Sequence, residues 1–312
     1  MNFDYETDLT IVGGGPAGLT ASIYARRANL KVIVLDKYSP GGKVLSTASV
    51  ENYPGFDYIT GPDLSFKFFE QSQKLGAQFI FNEVVDIKNK NNWNYVFLKN
   101  DKVIKSKAVI IATGMKNRQI GATNEKTLYQ KGISYCAICD GALYKGQPVA
   151  VIGSGRSAVE ESIFLSEIAS KVYLISNKEK FKADQKNIDH VEKIQNIEII
   201  MQSDTLSFNG DQVLESVTIR NQVTNELHDI KVNGAFIFIG LDPMAPTVNG
   251  QSILSKTSNF IDTSNDMATH IPGIFAAGDI VNKRFRQIST AISDGTIAAL
   301  SAVDYVNNNQ WN

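Results

Sequence analysis

The 312-residue sequence contains few of the residues that build metal sites or brace secreted domains. It has two cysteines and three histidines, and the histidines, His190, His228 and His270, lie far from the cysteines and show no paired spacing. A structural zinc ion needs about four ligands from cysteine, histidine or carboxylate side chains. The sequence therefore argues against a metal site, and two cysteines in so long a chain argue against a disulfide-rich secreted fold.

Long apolar segments and an excess of one charge are also missing. No apolar run approaches the roughly 18 residues of a membrane-spanning helix, and residues 1–6 lack the basic and apolar regions of a signal peptide. Thirty-one basic and 32 acidic side chains give a formal net charge of -1, so no sequence-wide positive field would attract nucleic acid or anionic lipid. We expect a soluble, cytoplasmic protein that binds neither nucleic acid nor a membrane.

The two cysteines that are present stand in the segment Cys136-Ala137-Ile138-Cys139-Asp140, where a carboxylate directly follows the second cysteine. A pair at this spacing can close a small disulfide and reopen it, because the attacking thiolate is stabilised by its partner and by the local backbone. The motif predicts a two-electron redox centre. Half of a zinc site, or two small buried neighbours, are the other interpretations of the pair.

A glycine-rich turn near the start of the chain predicts a dinucleotide site. A predicted strand, 9–12, runs into Gly13-Gly14-Gly15-Pro16-Ala17-Gly18, and a predicted helix to about residue 28 leads to a second strand, 32–35, that ends at Asp36. Gly13 permits the tight turn, Gly15 lets a pyrophosphate approach the backbone, and Gly18 lets helix and strand pack closely. Asp36 can accept hydrogen bonds from an adenosine ribose.

A second unit of the same kind follows the cysteine pair. A predicted strand, 149–152, meets Gly153-Ser154-Gly155-Arg156-Ser157-Ala158, a helix runs to about residue 168, and another strand spans 171–175. Ala158 takes the last small position, which the motif allows. At 312 residues with 43% hydrophobic side chains, the chain is long enough for two domains. Two such units indicate an oxidoreductase that holds two nucleotides, one of them a tightly bound redox ring.

The remaining segments predict further strands, helices and turns of a mixed α/β chain. Loops rich in glycine and proline at 40–43 and 50–55 can pass close to a flat ligand, and a carboxylate at Asp279 follows a short strand near the end of the chain. The predicted helices span 63–75 and 288–305, and the predicted strands lie at 78–81, 84–87, 108–111, 198–201, 213–220, 227–231 and 235–239, with a small antiparallel hairpin at 93–98 and 103–105.

In order and spacing, these motifs resemble those of low-molecular-weight thioredoxin reductases, and the resemblance covers nearly the whole chain. It implies an α/β fold of two Rossmann-like, three-layer dinucleotide-binding domains, one inserted into the other. The FAD domain would comprise residues 1–115 and 246–312, and the pyridine-nucleotide domain residues 116–245. The resemblance also implies a homodimer that reduces thioredoxin. Because one flavin face would have to meet first the nicotinamide and then the cysteines, we expect the inserted domain to swing about hinges near Lys116-Asn117 and Asp242-Met244.

The resemblance further implies roles for individual residues. Cys139 would face the flavin and take its electrons, Cys136 would attack the disulfide of thioredoxin, and Asp140 would handle the proton. The implied FAD-binding residues are Gly13, Gly15, Pro16, Ala17, Gly18, Asp36, Gly41, Gly42, Lys43, Thr47, Asn52, Val85, Ala112, Thr113, Gly114, Gly278, Asp279, Arg286, Gln287 and Ile288. The implied pyridine-nucleotide residues are Gly153, Ser154, Gly155, Arg156, Ser157, Ala158, Ser176, Asn177, Lys178, Lys182 and Gly240.

One segment departs from that family. Where the family carries His-Arg-Arg and a further arginine that grip the 2′-phosphate of NADPH, this chain has Ser176, Asn177, Lys178 and Lys182. A lysine is a flexible point charge and lacks the planar fork of arginine, so phosphate recognition should be weaker. Weak use of NADPH, use of NADH, or a protein donor such as reduced ferredoxin all stay open, as does a flavin redox sensor without enzymatic activity.

Overall fold

The computed structural model describes residues 2–47 and 50–311 and divides into two compact units. One unit consists of Met1–Lys116 together with Pro243–Asn312, and the other of Asn117–Asp242. We call them the first and the second unit. The sequence predicted an inserted domain of residues 116–245, and the second unit of the structure spans residues 117–242.

The described residues of the first unit form three α-helices and a set of strands, most of which lie in one sheet. Its elements are β1 (Tyr5–Val12), α1 (Pro16–Arg27), β2 (Val32–Asp36), α2 (Gly61–Lys74), β3 (Gln78–Phe81), β4 (Val84–Lys90), β5 (Trp93–Leu98), β6 (Val103–Ile111), β7 (Met115–Asn117), then, after the second unit, β17 (Thr247–Val248), β18 (Gln251–Ser252), β19 (Ile274–Ala276) and α6 (Ile288–Asn308). A 3-10 turn at Gly42–Ser46 follows β2. β7 ends one residue into the second unit.

The sheet of the first unit has the strand order β18-β17-β4-β5-β6-β1-β2-β3, with β19 pairing β6. Strands β1, β2, β3, β6 and β19 are parallel to one another. Strand β5 runs antiparallel to both its neighbours, β4 and β6, and β4 pairs with β17 in parallel. The apolar residues of β1 and β2 are buried on both faces, as expected for the middle of a parallel sheet. The carboxyl ends of β1, β2 and β6 therefore meet at one edge of this sheet.

The prediction of two separate strands at 103–105 and 108–111 was wrong, because β6 is one strand from Val103 to Ile111. Its first half alternates between buried and half-buried residues and pairs with β5, and its second half is fully buried between β1 and β19. The polar run Lys105-Ser106-Lys107 suggested a break. Ser106 is nevertheless buried and donates its hydroxyl to the Ala108 carbonyl, so the strand continues through it.

Helix α6 packs against α1 through small side chains. Both helices place alanines in the same buried cluster, which lets their backbones approach closely. The closest point is Gly295, where an added Cβ would lie 2.2 Å from the Ala17 carbonyl oxygen. Since Ala17 belongs to the first glycine motif, this contact brings the end of the chain onto the start of α1.

The second unit contains a parallel sheet and a separate antiparallel one. Its elements are β8 (Ile133–Ser134), α3 (Ala137–Asp140), β9 (Pro148–Ile152), α4 (Arg156–Ser166), β10 (Lys171–Ile175), α5 (Gln185–Val191), β11 (Ile197–Ile200), β12 (Ser203–Asn209), β13 (Ser216–Asn221), β14 (Leu227–Lys231), β15 (Gly234–Ile237) and β16 (Leu241–Pro243). β16 ends one residue into the first unit. The parallel sheet has the order β11-β10-β9-β15-β8, and β12-β13-β14 form the antiparallel sheet.

Several elements of the second unit differ from the sequence-based expectation. Strand β12 and helix α5 were not predicted, and β13 begins at Ser216 where a strand from residue 213 was expected. The segment of β12 is largely polar and carries little periodic signal, and the turn at Gly210, whose φ is 143°, precedes β13. Strands β7 and β16 pair with each other, and the hinge role of these connections stays a prediction.

No helix among residues 2–47 and 50–311 combines the length and the apolar character needed to cross a membrane.

Candidate active site

The two cysteines form a disulfide at the start of helix α3. Cys136 and Cys139 are bonded through their Sγ atoms, and their Cα atoms are 5.3 Å apart. The Cys139 N–H donates to Cys136 Sγ at 3.2 Å, so the backbone places a donor on the first sulfur. Cys139 is exposed and Cys136 half-buried. The predicted disulfide is confirmed, and the described part of the chain contains no cluster of metal-ligating side chains.

Asp140 lies half-buried directly behind the disulfide and contacts Ser134 at the end of β8. The Ser134 hydroxyl donates to Asp140 Oδ2 at 2.5 Å, and it accepts the Cys136 N–H at 3.0 Å. Burial raises the pKa of the Asp140 carboxyl above its ordinary value, and the hydrogen bond from Ser134 acts in the opposite direction. Sequence reasoning named Asp140 but missed Ser134, for which the only sequence signal is its place two residues before Cys136.

Glu125 is a second functional neighbour that the sequence did not indicate. Its carboxylate is buried and accepts the N–H groups of Ile120 and Gly121 at 3.0 and 2.8 Å, as well as the Tyr135 hydroxyl at 2.8 Å. Burial and, after it, the hydrogen bond to Glu125 raise the pKa of Tyr135. Glu125 thus fixes the residue immediately before Cys136 by a contact ten residues away in sequence.

The first glycine turn has the geometry that a dinucleotide turn needs. Gly13 has a φ of 111°, and an added Cβ would lie 2.3 Å from the Ala112 carbonyl oxygen. A Cβ on Gly18 would lie 1.9 Å from the Gly13 carbonyl oxygen. At Gly15 the nearest atom to an added Cβ is 3.9 Å away, so the backbone is open on that side. The two outer glycines are sterically required, and the middle one leaves room for a ligand.

The predicted acid at the end of β2 contacts the same turn. Asp36 Oδ2 accepts the Gly14 N–H at 2.8 Å, and Oδ1 accepts the Tyr38 N–H at 3.0 Å. Pro16 and Ala17 begin α1, with Pro16 in the first helical turn, where its missing N–H has no helical partner. Asp36 therefore shapes the turn as well as being a candidate ligand of a ribose.

The loop after β2 returns to the first turn. The Gly41 N–H donates to the Gly14 carbonyl at 2.6 Å, and Gly42 has a φ of 58° with an added Cβ only 3.1 Å from the Gly15 Cα. Lys43 lies at the beginning of the following 3-10 turn, with its Nζ 3.8 Å from Asp279 Oδ2. The predicted residues 41–43 are thus brought to both the turn and Asp279.

Two further predicted residues lie in the segment that follows. The Thr47 carbonyl accepts the Gly61 N–H at 3.0 Å, which ties the loop to the start of α2. Asn52 Nδ2 donates to Gln287 Oε1 at 3.2 Å, so the loop at 50–55 reaches the start of α6. Val85 differs from these, because it lies on β4, which β5 and β6 separate from β1, and its carbonyl accepts the Thr247 hydroxyl.

An unpartnered hydroxyl supports a ligand at this edge of the sheet. Ala112, Thr113 and Gly114 follow β6, and an added Cβ on Gly13 would lie 2.9 Å from the Thr113 Cα. Within the described residues the buried Thr113 Oγ1 has no hydrogen-bond partner. A buried hydroxyl without a partner is costly unless a ligand or water satisfies it. The first turn, its open middle glycine and this hydroxyl fit a bound dinucleotide such as FAD.

The predicted residues near the end of the chain are held by a buried ion pair that sequence reasoning missed. Asp294 Oδ2 on α6 accepts the Gly278 N–H at 3.0 Å and lies 2.5 Å from Lys283 Nζ. Both side chains of the pair are largely buried. Gly278 has a φ of 82°, and an added Cβ would meet the Ala17 Cβ at 2.9 Å. The pair therefore positions the turn that carries Asp279.

Arg286, Gln287 and Ile288 lead into α6. Arg286 Nε donates to the Asp279 carbonyl at 3.3 Å, and its guanidinium lies over the Phe260 ring at 4.3 Å. Burial lowers the pKa of Arg286, while the charge of Asp279 opposes that shift. The Gln287 side chain caps the helix that begins at Ile288. These residues share the edge of the sheet with Asp279.

The second glycine turn repeats the steric arrangement of the first. Gly153 has a φ of 155°, and an added Cβ would lie 2.3 Å from the Phe238 carbonyl oxygen and 2.9 Å from the Ala158 Cβ. At Gly155 an added Cβ meets nothing within 4 Å. Ser157 is exposed in the first turn of α4. The arrangement fits a second nucleotide, with an open backbone where a pyrophosphate would approach.

The basic loop after β10 is attached to this turn through its backbone. The Lys182 N–H donates to the Ser154 carbonyl at 2.7 Å, and the Lys178 N–H donates to the buried Ser176 hydroxyl at 3.1 Å. The side chains of Asn177, Lys178 and Lys182 are exposed. The structure therefore brings Lys182 to the second turn, holds Lys178 against Ser176 at the end of β10, and leaves the charges of both lysines in solvent.

Arg156 and Gly240 complete the predicted set in the second unit. Arg156 Nε pairs with Glu160 Oε1 at 2.8 Å, and Arg156 Nη1 lies 3.8 Å from Asp184 Oδ2. Gly240 has a φ of 117°, and its carbonyl accepts the Arg118 N–H at 3.1 Å. An arginine thus stands directly at the second turn, although two acidic side chains engage it.

Comparisons with known proteins agree with this geometry. The family model described as pyridine nucleotide-disulphide oxidoreductase matches residues 7–295. A thioredoxin reductase from Ureaplasma parvum is 46% identical over 304 residues, covering 97% of this chain and 98% of that protein. One from Bacillus subtilis is 40% identical over 302 residues, covering 96% and 94%. The crystal structure of thioredoxin reductase from Streptococcus pyogenes has a TM-score of 0.92 at 37% identity and covers 97% of this chain and 99% of its own.

Proposed function

The chain belongs to the pyridine nucleotide-disulphide oxidoreductase family, and from that premise we propose how its residues divide the work of a thioredoxin-disulfide reductase. It is an oxidoreductase of the thioredoxin reductase kind, with FAD and a reduced pyridine nucleotide as cofactors. The observation that carries the function is the closed disulfide between Cys136 and Cys139, in the same unit as the second glycine turn. The sequence resemblance to low-molecular-weight thioredoxin reductases is thereby confirmed.

We assign FAD to the first unit and the pyridine nucleotide to the second. The open backbone at Gly15 and the unpartnered Thr113 hydroxyl support the first assignment, and the open backbone at Gly155 supports the second. Asp36 and Asp279 would accept hydroxyl donors of the FAD ribose and ribityl chain. When bound, FAD supplies two-electron transfer between the nicotinamide and a disulfide. The other predicted residues listed for each site would line it.

The protein's own groups carry the thiol chemistry. Reduction of the disulfide takes two electrons and one proton and leaves one thiol and one thiolate. The Cys136 thiolate attacks a disulfide sulfur of thioredoxin, and Cys139 then attacks Cys136 Sγ and releases the reduced partner. The backbone N–H that already points at Cys136 Sγ supports this order, because it stabilises an anion there. Asp140, whose pKa is raised by burial, supplies the proton.

The electron donor is a reduced pyridine nucleotide whose 2′-phosphate is weakly recognised. The Lys182 backbone is attached to the second turn, and the exposed side chains of Lys178 and Lys182 offer point charges to a phosphate. Each lost charge-assisted hydrogen bond costs on the order of 1.5–3 kcal/mol, so the preference for NADPH over NADH should be smaller than an arginine grip would produce.

Mixing the oxidised protein anaerobically with NADPH, NADH or neither tests the donor. Rapid loss of the flavin absorbance with both nucleotides is the expected result. Bleaching by neither nucleotide, but by a reduced ferredoxin, would replace the pyridine nucleotide with a protein donor. Thioredoxin-dependent reduction of a chromogenic disulfide must accompany the bleaching. Cys139→Ser should abolish this thioredoxin-dependent reduction. If the Cys139→Ser variant still turned over, the disulfide would not take part in the mechanism.

We also propose that the protein works in the cytoplasm as a homodimer. The low cysteine content supports a reducing compartment. The first unit exposes large apolar side chains on its helices, among them Phe66 and Leu300, which are 60% and 48% exposed, and such side chains favour contact with a second copy. Light scattering at micromolar concentration tests the dimer, and a monomeric mass would reject it.

A further inference from the structure

Ser134 occupies a position from which it contacts both the acid and the backbone of the redox motif. Its side chain is buried, at 4% exposure, at the end of β8. The hydroxyl oxygen lies 2.5 Å from Asp140 Oδ2, 3.0 Å from the Cys136 nitrogen and 3.3 Å from the Cys136 carbonyl oxygen. All three neighbours belong to the segment that forms and reopens the disulfide.

A serine hydroxyl has one proton to donate and two lone pairs with which to accept. The Cys136 N–H occupies one lone pair whatever the state of Asp140. The single proton can then go to only one of the two oxygens within reach, Asp140 Oδ2 or the Cys136 carbonyl. Two complete hydrogen-bond arrangements are therefore available, and they differ in the direction of the bond between Ser134 and Asp140.

The protonation of Asp140 selects between these arrangements. When Asp140 is ionised it can only accept, so the Ser134 hydroxyl donates to it. When Asp140 is protonated, its own O–H donates to the second lone pair of Ser134, and the Ser134 proton turns to the Cys136 carbonyl. In both states the Ser134 hydroxyl donates one hydrogen bond and accepts the Cys136 N–H, and no heavy atom has to move. The two states differ in whether the Cys136 carbonyl accepts the Ser134 proton.

We propose that Ser134 is a positioning residue that lets Asp140 exchange its proton during disulfide reduction while keeping the Cys136 backbone in place. The inference rests on the proposed function, in which Asp140 supplies that proton. The disulfide gains two electrons from the reduced cofactor and one proton from Asp140, giving one thiol and one thiolate. Asp140 becomes ionised and accepts the Ser134 hydroxyl, which turns and loses no proton of its own.

The charged groups around Asp140 leave Ser134 as its main polar partner. The shift in the pKa of Asp140 has two causes, burial and the Ser134 hydrogen bond. Tyr144, on the next turn, has its own pKa raised by burial and then by the charge of Asp140. Helix α4 packs against α3 and carries Arg156, Glu160 and Glu161, and the Glu125–Tyr135 pair precedes the motif. None of these contributes to the Asp140 shift.

Removing the hydroxyl should make Asp140 a weaker acid. Because the Ser134 hydrogen bond lowers the Asp140 pKa, Ser134→Ala should raise it further. We expect the rate constant for reduction of the disulfide in the FAD-loaded protein to fall about tenfold at pH 7, and its pH midpoint to move to higher pH. Ser134→Thr, which keeps a hydroxyl, should restore the wild-type profile.

Single-turnover kinetics of the FAD-loaded protein between pH 5.5 and 9.5, by stopped flow with excess reduced nicotinamide, measure these profiles. Ser162→Ala is the matched control, because Ser162 is a buried serine of the same unit that donates to the Ala158 carbonyl. Its profile should equal that of the wild type. A Ser134→Ala profile with an unchanged midpoint, even at a uniformly lower rate, overturns the proposal.

Two further variants keep the outcome decisive. If Ser134→Ala does not fold, Ser134→Cys replaces it, since a thiol is a poor donor, and the same shift to higher pH is required. Asp140→Asn separates this proposal from the proposed function. Loss of the pH midpoint in Asp140→Asn with no shift in Ser134→Ala rejects the role of Ser134 alone. A wild-type profile in Asp140→Asn rejects the proton role of Asp140 and the inference with it.

Discussion

The two glycine turns are alike in their backbones and different in what closes them. An added Cβ on Gly13 would lie 2.3 Å from the Ala112 carbonyl oxygen, and one on Gly153 would lie 2.3 Å from the Phe238 carbonyl oxygen. At both middle glycines, Gly15 and Gly155, an added Cβ would have free space around it. In the first turn the Asp36 carboxylate accepts the Gly14 N–H. Both turns also share a backbone bond, in which the Gly14 carbonyl accepts the Gly41 N–H and the Ser154 carbonyl accepts the Lys182 N–H. The difference is the side-chain bond to Asp36 in the first turn.

This difference teaches where the chain can vary without losing its fold. A side chain adds to the backbone closure of the first turn, so a change at Asp36 alters the turn and a candidate cofactor contact together. Backbone groups close the second, so the exposed side chains at positions 177, 178 and 182 can change while the turn persists. Three of the four residues that depart from the family pattern are among these exposed side chains, and the fourth, Ser176, is buried and accepts the Lys178 N–H.

Changing one glycine in each turn gives the largest expected contrast. Gly13→Ala would force a Cβ into a carbonyl oxygen at a φ of 111°, and we expect a loss of about 4 kcal/mol or more in the free energy of unfolding. Gly155→Ala has a φ of -89° and open space, so its stability should stay within about 1 kcal/mol of the wild type. Calorimetry of both variants, together with nucleotide titration, measures the contrast.

In Gly155→Ala the loss should appear in nucleotide affinity, because the added methyl group occupies the approach to the backbone. Equal destabilisation of the two variants would mean that the outer glycine Gly13 and the middle glycine Gly155 are under the same steric demand. The contrast between them would then be lost.

The ion pairs near the two turns give the next largest contrast. Asp294→Ala leaves the buried Lys283 ammonium and the Gly278 N–H without their partner, and we expect a loss of about 3 kcal/mol. Asp184→Ala removes only a contact of 3.8 Å between exposed side chains, so the change should stay below about 1 kcal/mol. Thermal unfolding of the two variants, with FAD content measured in parallel, compares them directly.

Asp294→Ala should also lose FAD, since the turn that carries Asp279 depends on the pair. Full FAD content in a destabilised Asp294→Ala variant would mean that the ion pair stabilises the fold but does not position the FAD site.

The smallest expected effect is on the pH dependence of stability, to which a carboxylate on α4, after the second turn, should contribute and α1, after the first turn, should not. Helix α1 has no carboxylate, whereas burial and then the charge of Glu160 raise the pKa of Glu161 on α4 from 4.5 to about 7. Between these values the folded chain holds a proton that the unfolded chain has lost, so stability falls as pH rises through this window. Glu161→Gln should flatten the fall of the unfolding temperature between pH 4.5 and 7.

An unfolding temperature that declines equally in Glu161→Gln and in the wild type would assign the slope to other groups. Wild-type protein measured in the same buffers is the reference, because the remaining carboxylates contribute equally to both proteins.

The prediction from sequence was most successful where neighbouring residues suffice. Each glycine turn is specified within six residues and is flanked by an apolar strand, so its place between strand and helix could be predicted. The cysteine pair could be predicted to close for the same reason, since a four-residue segment brings the sulfurs together. The resemblance then indicated the cofactors.

The prediction from sequence failed where a residue acts through a contact with a distant part of the chain. Asp294 meets Gly278 across 16 residues and Glu125 meets Tyr135 across ten, and neither carboxylate stands in a motif. The same holds for β6, whose polar middle resembled a loop until pairing with β1 and β5 satisfied its backbone.

Short-range chemistry therefore specifies the two nucleotide turns and the disulfide of this chain, because bonds and sterics between near neighbours leave few alternatives. The closure of each turn and the buried partner of Gly278 were settled by packing. Those contacts join segments far apart along the chain, and burial makes each unpaired polar group costly enough to enforce them.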